Sequence, residues 1–141
     1  MKEKAYYESK EYRESPEYIE RKSVVKSYLG KRVHIEIDRP IGYVHKKGEK
    51  TLTYNINYGY IPGVLGGDGE ELDVYVLDID HPVDECEVEI IGIVHREDGD
   101  EDKLISRSVP DSSDQKLYTL QEVEDILNFQ EKYYKTTIEL L

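Results

Sequence analysis

Residues 68–77 have the sequence DGEELDVYVL, in which an acidic turn runs directly into an apolar strand. Side chains two residues apart share one face of an extended chain, so Asp68 and Glu70 converge if the turn is extended. Asp73 begins the apolar run, and a carboxylate at the edge of a core needs a metal ion or another cation as its partner. Oxygen ligands at this density favour magnesium, which binds a few carboxylates together with substrate phosphates. The stretch therefore predicts chemistry on a phosphate, and the alternative is a solvated acidic turn.

Short strands surround this stretch. Apolar and polar residues alternate from residue 31 onward, which predicts strands at residues 33–37, 72–77, 87–95 and 103–109. Residues 46–49 suit the turn of a hairpin, and residues 136–141 resume an extended run. A capping box, Thr119 with Glu122, predicts a helix that ends near Lys135. Together these elements predict a mainly β (α+β) fold, a small barrel with helices on its outside.

The first 29 residues differ in composition from the rest, because they are dense in Glu, Lys and Tyr. Ser15-Pro16-Glu17 suits the cap and first turn of a helix, and Gly30 suits its end. We therefore expect an N-terminal helical extension, residues 1–29, followed by a barrel domain, residues 30–141. This amphipathic helix packs against the domain or a dimer partner, or it serves as a binding arm; the sequence leaves these alternatives open.

Composition limits the partners of the chain. The formal net charge is -12, which argues against nucleic acid, because phosphate neutralisation needs clustered Lys and Arg. No apolar stretch reaches the length of a membrane span, and the N-terminus has no apolar signal core, so we expect a cytoplasmic protein. The single Cys86 excludes an intramolecular disulfide and a cysteine-rich zinc site.

Two further groups of residues suit phosphate chemistry. The loop 97–102 has five acidic residues in six positions, and it is either solvated or completes a multi-carboxylate metal site with the first acidic turn. Phosphate oxygens need cationic or phenolic donors, although each lysine alone is more typical of the surface. The candidate donors are Arg39, Lys46, Lys47, Lys50, Lys103, Lys135, Tyr54, Tyr58 and Tyr134. The four histidines lack the spacing of metal ligands on one face of a helix, so we expect no zinc site; they are His34, His45, His81 and His95.

Three segments together resemble family I soluble inorganic pyrophosphatases: NYGYIP at residues 57–62, DGEELDV at 68–74 and the acidic loop that ends in Lys103. The resemblance runs from about Val33 to about Lys135 and is greatest to the short, compact members. It implies a small OB-like closed antiparallel barrel with flanking helices. It also implies magnesium-dependent hydrolysis of inorganic pyrophosphate to two phosphates by a metal-activated water, and it is compatible with a homo-oligomer.

The same resemblance implies roles for individual side chains. The implied metal ligands are Glu36, Asp68, Glu70, Asp73, Glu97, and either Glu101 or Asp102. Glu70 is also the implied base, which orients and deprotonates the attacking water. The implied donors to phosphate are Tyr58, Lys103, Tyr134 and Lys135. Phosphoryl transfer of this kind needs positioning and charge neutralisation more than covalent chemistry.

The chain departs from the family pattern in three places. Where the family has a Lys-x-Glu element and a following Arg, the shortened segment 41–53 offers only Lys46, Lys47, Glu49 and Lys50. Lys46 is the best spaced substitute for the Arg, although Lys cannot make a bidentate contact. Glu70 stands where the family has Asp. The acidic loop is one residue short, which leaves Glu101 and Asp102 as alternatives. Three interpretations stay open: pyrophosphate hydrolysis, hydrolysis of another phosphoanhydride, and a catalytically weak module that binds metal or phosphate.

Overall fold

The computed structural model of the chain describes residues 10–66, 69–97, 101–109 and 117–141. The helices in these ranges are α1 (Lys10–Arg13), α2 (Pro16–Ser27) and α3 (Leu120–Glu131). The strands are β1 (Arg32–Arg39), β2 (Val44–Lys47), β3 (Lys50–Thr53), β4 (Asn57–Leu65), β5 (Glu71–Val76), β6 (Glu85–Arg96), β7 (Asp102–Ser108) and β8 (Thr136–Leu140). The fold is therefore mainly β with flanking helices, as the sequence predicts.

Five of these strands close into a barrel. β1 pairs with both β4 and β6, and the ring continues through β4–β5, β5–β7 and β7–β6, while β8 is added at β6. The pairs are antiparallel except β5–β7, which is parallel. The closed barrel is confirmed, with this one departure from an antiparallel arrangement. Strand directions cannot alternate all the way round a ring of five strands, so one pair must be parallel.

β4 carries the NYGYIP motif, and its backbone lies very close to β1. A Cβ atom on Gly59 would lie 1.9 Å from the carbonyl oxygen of Glu36, so only glycine fits at this position. Asn57 is fully buried; it accepts a hydrogen bond from the amide of Ile41 (3.1 Å) and donates to two carbonyl oxygens of the β5–β6 loop (3.3 and 2.9 Å). No strand is predicted from the sequence at 57–65, because glycine and proline are unfavourable inside strands. Close pairing with β1 and the Asn57 anchor override that preference.

Two core clusters lie on opposite faces of the sheet. The first fills the barrel, because every barrel strand contributes to it: Ile35, Ile61, Leu72, Val74, Val76, Val88, Ile90, Ile93 and Leu104, with Val25 of α2. The second lies outside the barrel under α3: Tyr54, Ile56, Tyr58, Tyr75, Leu77, Val94, Ile105, Val123 and Leu127. Alternation along β5 and β7 separates the two, so Val74 and Leu104 face inward while Tyr75 and Ile105 face outward. The candidate site lies on this outer face.

The helix starts agree with the sequence. The hydroxyl of Ser15 caps the first turn of α2 (3.2 Å), and the capping box of Thr119 and Glu122 starts α3. α3 ends at Glu131, earlier than expected, because the chain must turn back onto β6 before β8 begins. α2 packs against the barrel core, and the division of the chain at residue 29 stays a prediction. Among the described residues, no helix is both long and apolar enough to cross a membrane.

Candidate functional site

A cleft of about 1010 Å³ lies between the β2–β3 hairpin, the end of α3 and the outer face of the barrel. The basic side chains that line it are Arg39, His45, Lys47, Lys50, Arg96 and Lys103. Its acidic lining consists of Asp38, Glu49, Asp73 and Glu101, and its phenols are Tyr54, Tyr58, Tyr133 and Tyr134. Five permanently charged cations therefore face four carboxylates in this cleft, although the net charge of the chain is strongly negative.

A smaller cavity of about 460 Å³ adjoins the cleft and has the opposite character. We call it the acidic cavity; its lining is Asp38, Tyr60, Glu70, Glu71, Asp73 and Glu101. Asp38, Asp73 and Glu101 border both spaces. The site is thus divided into a carboxylate half and a cationic half that share a wall, an arrangement suited to a metal ion beside an anionic ligand.

Lys103 lines the cleft next to the shared wall, and its side chain is only 2% exposed. Its ammonium donates hydrogen bonds to Asp73 (3.0 Å), Glu101 (2.7 Å) and the hydroxyl of Tyr58. Strand register explains this meeting, because Asp73 and Lys103 are partners in the parallel pair β5–β7, and Glu101 is two residues from Lys103 on the same face. Burial opposes ionisation of Glu101, but Lys103 and Arg96 outweigh it and hold the pKa of Glu101 below its usual value.

Arg96 connects β6, the end of α3 and the acidic loop. It donates through Nε (3.1 Å) and Nη2 (2.8 Å) to both oxygens of Glu131, and through Nη1 to Glu101 (2.9 Å). Arg96 and Glu131 are both nearly fully buried, and the hydroxyl of Tyr75 also donates to Glu131. Burial would lower the pKa of Arg96, but the bonds to Glu131 outweigh it and raise that pKa, so the guanidinium stays charged. The ring of Tyr134 stacks on this guanidinium at 3.6 Å.

Arg39 stands among tyrosines on the other side of the cleft. Its Nη1 donates to the hydroxyl of Tyr54 (2.6 Å), and its guanidinium carbon lies 5.4 to 5.8 Å from the ring centroids of Tyr43, Tyr54 and Tyr58. Burial raises the pKa of Tyr54, and it raises the pKa of Tyr58 well above the usual value. Both phenols therefore keep their protons near neutral pH and can act as hydrogen-bond donors.

The β2–β3 hairpin adds the cations Lys47 and Lys50 to the cleft. Within the described ranges, no carboxylate forms an ion pair with Arg39, Lys47 or Lys50. Lys50 packs instead over the ring of Tyr133 at 4.9 Å. Lys47 and Lys50 are also direct cross-strand partners, and like charges in that position repel each other. An anion in the cleft would relieve this repulsion.

The structure brings together several of the residues that the resemblance implies. The main cleft is lined by Tyr58, Asp73, Glu101, Lys103 and Tyr134, and Glu70 borders the acidic cavity. The turn before β5 and the segment before β7 therefore meet at one site. Asp68 lies outside the described residues.

Two implied residues point away from the site because of strand alternation. Asp102 is on the opposite face of β7 from Glu101, and its carboxylate binds the ammonium of Lys22 in α2. Of the two alternatives for the loop ligand, only Glu101 borders the cavities. Lys46 is on the outer face of β2, between His45 and Lys47, which line the cleft. Lys46 therefore does not line the cleft, and its role as a substitute for the family Arg stays a prediction.

Two further carboxylates lie elsewhere. Glu97 pairs with Lys135 (3.5 Å) at the surface, so neither side chain borders the cleft or the acidic cavity. Glu36 groups with His34 and Glu85 on the β1–β6 pair, with ligand atoms within 4.8 Å of one another. His34 was not predicted as a ligand, because a grouping across two strands that are distant in sequence leaves no local spacing signal.

Three residues that build the site are not predicted from the sequence: Asp38, Arg96 and Glu131. Asp38 lies where the β1–β4 register shifts between Ile37 and Arg39, and simple alternation does not anticipate a bulge. Arg96 is adjacent to the acidic loop, which was a usable signal. Glu131 lies where the apolar stripe of α3 becomes polar. The sequence does not show that this position is buried, because its burial depends on the ion pair with Arg96.

Comparisons with known proteins agree with this architecture. The family model described as inorganic pyrophosphatase matches residues 24–140. The inorganic pyrophosphatase of Rickettsia typhi is 33% identical over 108 residues, which are 71% of this chain and 59% of that protein. That of Sulfolobus acidocaldarius is 35% identical over 81 residues, 54% of this chain and 46% of that protein. The chain thus spans about half the length of the curated relatives that it matches.

Solved structures of inorganic pyrophosphatases share the fold. The structure from Ehrlichia chaffeensis has a TM-score of 0.59 at 18% identity and covers 79% of this chain and 87% of its own. The structure from Neisseria gonorrhoeae has a TM-score of 0.55 at 25% identity and covers 74% of each chain. The family model spans most of the described barrel, including β7 and the NYGYIP strand. The chain therefore belongs to the inorganic pyrophosphatase family.

Proposed function

We propose that this chain hydrolyses inorganic pyrophosphate to two phosphates and that the reaction depends on Mg²⁺. The observation that carries the proposal is the shared wall, where Lys103 joins Asp73 and Glu101 between an acidic cavity and a cationic cleft. A polyanionic substrate needs cations on both sides, and the two halves offer them in different forms. Membership of the inorganic pyrophosphatase family supports this function.

The acidic cavity fits a divalent cation. Its donors are carboxylate oxygens, the ligands that Mg²⁺ prefers. Burial, and next the charge of Asp73, raises the pKa of Asp38, as expected where carboxylates crowd together without a neutralising cation. We infer that Glu70, Asp73 and Glu101 hold the metal, with Asp38 as a further ligand and Asp68 as an expected one. When bound, a divalent cation neutralises phosphate charge and lowers the pKa of a coordinated water.

The chain's own cations take the phosphate groups in this proposal. Lys103 is held in place by three hydrogen bonds, so its charge is preorganised and needs no rearrangement during the reaction. Arg39 supplies a planar, always charged donor from the end of β1, which makes up for the Arg missing from the shortened segment. Lys47 and Lys50 of the hairpin provide further positive charge at the opening of the cleft.

Glu70 is the proposed general base. Its exposed carboxylate borders the acidic cavity beside Asp73, where it can accept a proton from the attacking water. The water oxygen bonds to one phosphorus, the bridging P–O bond breaks, and the second phosphate leaves with its charge stabilised by Lys103 and Arg39. The proposal does not extend to residues outside the two cavities: Glu36, Lys46, Glu97, Asp102 and Lys135.

Phosphate release from pyrophosphate with Mg²⁺ tests the proposal. We expect enzyme-like turnover for the wild type and a loss of at least about 100-fold for Asp73→Asn, with an unchanged circular dichroism spectrum. Asp80→Asn is the matched control, because Asp80 is almost fully exposed beside His81 and lines neither cavity. If the wild type and Asp73→Asn are equally inert but both bind phosphate, the chain is a binding module and the proposal fails.

A second candidate function is hydrolysis of another phosphoanhydride. The observation that favours it is the pair Lys47 and Lys50, which face each other on the hairpin without acidic partners among the described residues. A third phosphate group in the cleft could lie against them. Comparison of kcat/KM for pyrophosphate, tripolyphosphate and nucleoside triphosphates separates the two functions. A cytoplasmic location and a homo-oligomer stay predictions.

A further inference from the structure

We propose that Lys22 is a positioning residue, which holds the start of β7 so that Glu101 and Lys103 face the cleft. Lys22 lies in α2, before residue 24, where the match to the family model begins. The inference rests on the proposed function, because Glu101 and Lys103 are its metal-binding and phosphate-binding groups. It gives a residue of the N-terminal segment, which lies before the matched residues 24–140, a role in the site.

In the ion pair between Lys22 and Asp102, the carboxylate is buried and the lysine is partly exposed. The Asp102 side chain is 2% exposed, and its Oδ2 accepts a hydrogen bond from the Lys22 ammonium, whose side chain is 30% exposed. On the other side, Nδ1 of His95 lies 3.5 Å from Oδ1 of Asp102. A carboxylate this deeply buried needs a cation or a full set of hydrogen bonds. Lys22 is the only permanently charged group that meets this need within the described part of the chain.

The position of Asp102 on the strand makes this contact matter for the site. Asp102 is the first residue of β7, and Glu101 and Lys103 are its direct neighbours in the chain. Neighbours along a strand point to opposite faces and are about 3.3 Å apart. An unpaired Asp102 would turn or shift toward water, and the same movement of the backbone would carry Glu101 and Lys103 out of their hydrogen bonds.

α2 is itself firmly attached to the barrel, so it can act as a fixed support. Val25, three residues after Lys22, is 1% exposed in the core cluster that fills the barrel. Residues three and four apart share one face of a helix. Lys26, four residues after Lys22, meets Glu139 of β8 at 3.9 Å, but its side chain is 72% exposed. The helix therefore offers two lysines in similar places: the partner of Lys22 is buried, whereas Lys26 is itself exposed and its partner is only partly buried.

The experiment compares Lys22→Met, Lys22→Arg and Lys26→Met in the full chain. For pyrophosphate hydrolysis with saturating Mg²⁺, we expect Lys22→Met to lower kcat by about tenfold or more, with a smaller effect on KM. Lys22→Arg keeps the charge and restores kcat to within a few-fold, whereas Lys26→Met stays near wild type. Adding Asp102→Asn to Lys22→Met removes the buried charge and should recover most of the lost activity.

Hydrogen exchange of the peptide that covers residues 101–109 provides a readout that does not depend on activity. We expect faster exchange in Lys22→Met than in Lys26→Met, and slower exchange again in the double variant. Unchanged exchange and unchanged kcat in Lys22→Met overturn the inference. A further loss in the double variant also overturns it, because Asp102 would then be a metal ligand. A wild type that hydrolyses no pyrophosphate refutes the proposed function, while the exchange experiment still decides the role of Lys22.

Discussion

The Arg96→Met variant tests whether the buried ion pair between Arg96 and Glu131 holds the end of α3 against the site. In the native chain, the Arg96 guanidinium binds Glu131 through two hydrogen bonds of 3.1 and 2.8 Å, and their side chains are 3% and 5% exposed. Met fills a similar volume without a charge. The substitution therefore leaves the Glu131 carboxylate buried with only the hydroxyl of Tyr75 and no cation.

The expected loss of stability is large. Removal of one partner from a buried ion pair typically costs about 3–5 kcal/mol, because the remaining charge has no compensation. The stack on Tyr134 and the bond to Glu101 are lost as well. For a chain of 141 residues, a loss of this size corresponds to a fall in Tm of roughly 10–15 °C. The exposed pair of Lys10 and Glu14, at 87% and 67% exposure, should contribute less than about 0.5 kcal/mol.

Urea denaturation followed by circular dichroism measures these differences for Arg96→Met, Glu131→Leu and the double variant, with Lys10→Met as the control. We expect the double variant to be more stable than the sum of the single losses predicts, by about 2–3 kcal/mol. If the free energy of unfolding of Arg96→Met falls by less than about 1 kcal/mol, which is the range of an exposed pair, the buried ion pair does not stabilise the fold as described. Equal losses in Arg96→Met and Lys10→Met would lead to the same conclusion.

Three further predictions concern the barrel and α3. Gly59→Ala should lower the free energy of unfolding by about 3 kcal/mol or prevent folding, because its Cβ would collide with the backbone of β1; a wild-type urea midpoint would contradict this. Thr119→Ala should cost about 1 kcal/mol through loss of the capping box, and Thr119→Ser should restore most of it in the same assay. Burial, with Glu87 and Asp78, raises the pKa of Cys86 to about 11. A raised pKa means less thiolate, so alkylation at pH 8 should be at least about 100-fold slower in the native chain than in urea; equal rates would count against the burial of this thiol.

Much of the fold could be predicted from local sequence. Alternation identified β1, β5, β6 and β7, and the capping box identified the start of α3, because these signals depend on neighbouring residues only. The strand at 57–65 was missed, because its pairing depends on Gly59 and on the close approach of β1, which no local propensity records. The parallel pair follows from ring closure, a property of the whole barrel.

The candidate site was less predictable than the fold. Asp73 and Lys103 were indicated by the sequence itself and Glu101 only by the resemblance, and their meeting follows from the β5–β7 register. Lys46 was suggested by its spacing and Asp102 by its residue type, but the alternation of their strands turns both side chains to the other face. The pair of Arg96 and Glu131 joins residues 35 positions apart, so neither residue alone indicates the contact.

The central claim is that a divalent cation binds in the acidic cavity, next to Lys103. Crystals grown or soaked with Mn²⁺, a substitute for Mg²⁺ with a usable anomalous signal, test it most directly. We predict an anomalous peak within coordination distance of Asp73 and Glu101. A peak only at the group of His34, Glu36 and Glu85, or no peak in the acidic cavity at saturating Mn²⁺, would contradict the claim.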